Sequence, residues 1–82
     1  MLKGIVTATI VSTRKCEKLV GCKFLEIDLI EKGKYINQTI IAVDSVGAGI
    51  GENVLITTGS SARAALKDNS MPVDAVVVGI ID

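Results

Sequence analysis

Residues Val73 to Ile81, VDAVVVGII, constrain this chain more than any other stretch. Successive side chains of a strand point to opposite faces. Val73, Ala75, Val77, Gly79 and Ile81 therefore share one side, and Asp74, Val76, Val78 and Ile80 the other. Beyond Asp74 both rows are apolar. The chain has 82 residues, enough for one domain, 1–82, and a domain this small buries only about 60% of the surface its unfolded chain exposes. A small barrel hides one face of a strand. Each Val or Ile of the second row left in water forgoes ~1.5 to 3 kcal/mol, so something else should cover that row. The chain's own helical segment can do so, but it offers little bulk, and a neighbouring subunit is the expected cover. On that expectation, Asp in place of Val76 or Val78 releases folded monomers.

The remaining segments alternate and turn as a small β protein does. Lys3 to Thr13 is rich in β-branched residues, and Gly4 and Ala8 leave room for that first strand to coil. Lys23 to Ile30 puts Leu25, Ile27 and Leu29 on one face and Glu26 and Asp28 on the other, the pattern of a half-buried strand. EKGK, residues 31–34, supplies a glycine turn, and Gln38 to Asp44 returns as the third strand. Glu52 to Thr58 forms the fourth. Between it and the strand that follows Pro72, SSARAALKDN is the only helical piece, with Ser60 or Ser61 placed to cap it and Asn69 to end it. Five strands and one short helix between the fourth and fifth predict a mainly β, OB-like barrel.

Composition removes several functions. Nine basic and nine acidic residues leave no net charge, so the attraction that nucleic acid or an anionic membrane exploits is missing. No apolar run approaches the ~18 residues that span a bilayer, and the threonines of IVTATIVST do not suit a signal peptide. A cytoplasmic protein without an anchor is expected. Cys16 and Cys22 fit neither a redox CxxC nor a disulfide framework, and without histidine they complete no zinc site. Both are expected as reduced thiols, with no metal and no cofactor. Stability beyond what so small a core provides then comes most simply from partner subunits.

VGAGIGE, residues 46–52, spaces Gly47, Gly49 and Gly51 as GxGxG. A dinucleotide fingerprint reads GxGxxG and opens a helix. Here a strand follows, so positive φ and close backbone approach explain the glycines. Ser60 and Ser61 have no activating partner, and no histidine serves as a base. Asp44, Glu52 and Asp74 are better suited to hydrogen bonding at a surface or interface than to acid–base work. Arg63 is expected either in solvent or paired with a neighbour's carboxylate. No enzyme is expected.

TRK at 13–15 with LVGCKFL at 19–25, then AVDSVGAGIGENVLITTGSSAR at 42–63 and PVDAVVVGIID at 72–82, form a long ordered constellation. It resembles the vertex proteins of bacterial microcompartments, the carboxysome and ethanolamine-utilisation vertex family. The resemblance spans essentially the whole chain. It implies an OB-like barrel that assembles as a pentamer and plugs the corners of a polyhedral shell beside hexameric shell proteins, a structural role in the cytoplasm without nucleic acid or membrane. It also implies that Asp44, Gly47, Ala48, Gly49, Gly51 and Glu52 shape the central connection. Gly59, Ser60, Ser61, Ala62 and Arg63 would form a turn and helix near subunit contacts, with the Gly59–Ser61 turn expected nearest the fivefold axis. Val76, Val78 and Ile80 complete the candidate interface. The competing reading, an OB-type binder of single-stranded nucleic acid or a small ligand, needs stacking aromatics, and the chain has only Phe24 and Tyr35.

Overall fold

The computed structural model describes residues 1–82. Five strands, β1 (Leu2–Ile10), β2 (Phe24–Glu31), β3 (Lys34–Asp44), β4 (Asn53–Thr58) and β5 (Ala75–Ile81), form a closed barrel in the order β1-β2-β3-β5-β4. A short helix, α1 (Ser60–Ala65), joins β4 to β5, and a 3-10 turn at Glu17–Leu19 lies between β1 and β2. The fold is the mainly β, OB-like barrel that the segment order predicts.

The predicted faces hold where alternation is cleanest. Leu25, Ile27 and Leu29 point into the barrel and are all but inaccessible. Val6, Val54, Ile56, Ala75 and Val77 meet them from β1, β4 and β5. Gly4 makes that meeting possible: a Cβ there would stand 2.5 Å from Ile27 Cγ2 and 2.6 Å from the Asp28 carbonyl oxygen.

Four boundaries differ from expectation by two residues or more, each for a local reason. β1 stops at Ile10, whose partner is Phe24, the first residue of β2; past it Val11–Thr13 have no strand to pair with. β3 starts earlier, at Lys34, because Lys32 and Gly33 take positive φ (50° and 76°) and close a tight hairpin pairing Glu31 with Lys34. α1 ends at Ala65 and is preceded by Gly59 (φ 66°, ψ −142°), with no side-chain cap from either serine. β5 begins at Ala75, since Asp74 still belongs to the turn that binds Gly59 N–H through its carbonyl, 2.8 Å.

A bulge corrects the two-row description of β5. Leu55 pairs with Gly79 and Ile56 with Val77, so Val78 is the extra residue. Ile80 is thereby turned to the barrel core, against which it packs half-buried. Val76 stays on the outer side, but it is fully buried within the single chain. Val43, Ala62 and Val76 form a second small core outside the barrel, closed by Phe24, Leu66, Val73, Val78 and Cys22. The helix supplies less of this cover than the residues around it. The expected exposure of Val76 to a neighbour is therefore wrong, and its Asp variant should disturb folding first.

Candidate functional site

The GxGxG connection is a plug at one end of the barrel. Ala48 sits at its middle, fully buried against the barrel core. Gly47 (φ 80°) and Gly51 (φ 89°) bend the chain into and out of it, where an L side chain would be strained. Gly49 has no positive φ, and a Cβ there would make only an ordinary contact, 3.4 Å from Glu52 Oε1.

Carboxylates occupy the amides that a phosphate would otherwise need. Asp44 Oδ1 accepts from Val46 N–H at 3.0 Å and Gly47 N–H at 3.1 Å. Glu52 Oε1 accepts from Gly49 N–H at 2.6 Å. Lys23 Nζ donates to the Ala48 carbonyl at 2.9 Å and stands 3.6 Å from Asp44 Oδ2, whose side chain is only 2% exposed. Hydrogen bonds to ionised groups are stronger than neutral ones, so two acids and one lysine hold the plug rigid. Main-chain bonds from Gly51 N–H to Val6 and from Val6 N–H to Glu52 stitch it to β1. Asp44 and Glu52 are engaged with backbone, while Asp74 lies apart, exposed beside Gly59; these three acids form no general acid–base pair.

The GSSAR segment faces outward. Gly59, Ser60 and Ser61 are exposed, whereas Ala62 is fully buried in the outer core. Arg63 is not left free in solvent: half-buried, its Nη1 donates to the Val73 carbonyl at 3.1 Å and ties α1 to the segment entering β5. Sequence reasoning missed Lys23 and Phe24. Lys23 lies at the start of a strand, where a lysine ordinarily signals only solvent, and its target is a carbonyl far along the chain. Phe24 could have been suspected from its odd place in the alternation ahead of Leu25.

Exposed apolar side chains mark what the fold leaves uncovered. Val11, Val20 and Ile50 lie in connections, and Tyr35, Ile41 and Leu55 lie on the outer face of strands. Phe24 is withdrawn under α1, which leaves Tyr35 as the one exposed aromatic, on the β2–β3 hairpin. One ring makes no stacking platform for successive bases. Cys16 is exposed, Cys22 is half-buried, and both are free thiols.

The family described as ethanolamine utilisation protein EutN/carboxysome matches residues 1–82, the full chain. The chain belongs to the EutN/CcmL family. The carboxysome shell vertex protein CcmL of Gloeobacter violaceus is 49% identical over 96% of this chain and 80% of its own length. A solved ethanolamine utilization protein EutN superposes with a TM-score of 0.95 at 42% identity, covering 100% of this chain and 86% of that one. The pentameric microcompartment shell protein GrpN of Rhodospirillum rubrum gives a TM-score of 0.88 at 43% identity, over 100% and 93% of the two chains. Within the EutN/CcmL family the plug and the GSSAR turn therefore belong to a barrel whose relatives carry shell-vertex names.

Proposed function

We propose that this chain is a structural, non-catalytic shell protein of a bacterial microcompartment in the cytoplasm, and that five copies form a ring capping a vertex beside hexameric shell proteins. The observation that carries this is the full-length match in fold and sequence to a pentameric shell protein. Geometry supplies the reason for such a part: hexagonal tiles alone make flat layers, and a closed polyhedron needs pentagonal units where curvature concentrates. A ring of five is heterologous, each copy offering two different surfaces. A rigid, plugged barrel suits that task, because a tile that deforms cannot hold a corner.

In this ring the Gly59–Ser61 turn lies nearest the axis. It is exposed, its side chains are small, and nothing stands within 4 Å of where a Gly59 Cβ would project. The Asp44–Glu52 plug acts indirectly, by fixing the barrel end and leaving Val46 and Ile50 on the surface. Native mass spectrometry of the purified chain tests the ring. A dominant species of five times the 8.6 kDa chain mass is expected; a monomer, dimer or hexamer at micromolar concentration refutes it. For the axis, a Ser60→Cys variant lacking Cys16 and Cys22 should form interchain disulfides on mild oxidation of the ring. Thiols that stay unlinked would put the turn elsewhere.

A further inference from the structure

The barrel closes between β3 and β5 through only two register pairs, Val43 with Val76 and Asp44 with Val77. Below them β3 continues back to Lys34 with β2 as its single neighbour. Asp44 donates its N–H to the Lys23 carbonyl, towards β2. Backbone groups alternate in direction along a strand, so Ala42 and Ile40 also turn to β2, whereas Ile41 and Thr39 turn theirs to the open side. That side borders a cleft of about 430 Å³ between Gln38, Ile40 and Ile41 and the Thr58, Gly59 and Asp74 wall. Ile41 is 55% exposed. Proteins usually blunt an open edge with lysine, proline or a covering element, and Gln38-Thr39-Ile40-Ile41 contains neither residue.

We propose that this β3 edge, Thr39 to Ile41, is one of the two ring-contact surfaces and takes an extended backbone segment of a second copy. The inference rests on the ring proposed above. A second copy is the fitting occupant because a heterologous ring needs a recessed surface distinct from the one that enters it, and because the solved relative with this fold is pentameric. The cleft is also continuous with the Gly59 turn assigned to the axis. Backbone pairing supplies the affinity, and the cleft beside it, lined by Ile40, Ile41 and Ala75 as well as by Gln38, Thr58 and Asp74, receives alternate side chains.

Ile41→Pro tests the edge. It removes the N–H that faces the open side and none that bonds β2, a position where strands tolerate proline. Wild-type rings with a folded Ile41→Pro chain whose assembly midpoint rises at least 100-fold in protein concentration support the proposal. Intact rings of that variant overturn the edge assignment and leave the ring standing. Failure of the wild-type chain to form rings overturns the ring reading itself. Should Ile41→Pro not fold, amide exchange in the wild-type ring decides. Thr39 and Ile41 amides slowed 100-fold or more against an unstructured peptide support backbone pairing, and exchange within tenfold of that peptide overturns it.

Discussion

Truncating Val76 to alanine separates the two places its cover could come from. Alternation along the sequence assigns it to a row that a neighbour shields, yet in the single chain it is 0% exposed and packs on Val43 and Ala62 under Phe24 and Leu66. Val76→Ala deletes two methyl-sized groups. At ~0.8 kcal/mol each that is roughly 1.6 kcal/mol, and the incompletely collapsed cavity raises it to about 2 kcal/mol. For a domain of this size each kcal/mol moves Tm by ~4 to 8 °C, so a fall of ~8 to 16 °C is expected. Circular-dichroism melts at two protein concentrations, paired with native mass spectrometry, check the origin. Assembly makes Tm concentration-dependent, but a defect inside the fold lowers both melts alike and leaves the ring population unchanged below the transition. A Val76→Ala chain whose Tm holds within ~2 °C while its rings dissociate would refute the intrachain cover. Val76→Asp should then go further and fail to fold, because an unpaired charge would be buried under α1.

Gly4→Ala should cost about 1 to 3 kcal/mol, since the new methyl meets Asp28 backbone as well as the Ile27 side chain; urea unfolding should show a lower midpoint with an unchanged slope. Asp44→Ala strips the Val46 and Gly47 amides and Lys23 of their partner, for a loss of ~1 to 3 kcal/mol that Asp44→Asn should partly restore, with faster exchange of those two amides as the readout. Asp68 is held below the ordinary aspartate value of 3.8 by the Ser70 hydroxyl and then the Ser70 amide. Its depressed pKa favours the fold above 3.8, and that contribution fades as pH falls through the folded value. A carboxyl carbon titration by NMR should therefore find a midpoint under 3.8, and one at or above it would contradict the Ser70 contacts.

What was legible in the sequence was whatever depends on a single residue period or on a long motif. Leu25, Ile27 and Leu29 alternate without interruption, and the register they set carries the barrel core. Where a bulge adds a residue, the period misleads: Val78 shifts Ile80 into the core, and the widened β2–β3 hairpin places Asn37 at positive φ opposite Leu29. Bulges follow from how a sheet coils to close, which no local pattern encodes. The same holds at the helix start, where serines that favour a cap by type were displaced by Gly59, because the turn needs φ 66° and its N–H is bound to Asp74. In the plug, the sequence signalled a bend at Gly47 and Gly51, and left the engagement of Asp44, Glu52 and Lys23 with its backbone unread, since each partner is chosen by the folded path.

The surplus of apolar surface is real, but it lies elsewhere than the second row of β5. Once α1 and its surroundings have closed over Val76, the uncovered strand residues besides Tyr35 on the β2–β3 hairpin are Ile41 at the open edge of β3 and Leu55 on β4. Leu55 lies opposite Lys3 of β1 and beside Gly79 of β5, where the missing side chain leaves its flank open. Half-buried Ile5 and Ile81 flank it through Asn53. Only β5 lies between the two strands, but the places differ in kind: an open backbone edge at Ile41 and a strand paired on both sides at Leu55. A two-fold dimer would need one self-complementary patch, whereas two separate and unlike patches are what a head-to-tail contact uses, and such a contact closes only when its rotation completes a ring. Two unlike patches on one chain accord with the pentameric state of the solved relative of this member of the EutN/CcmL family.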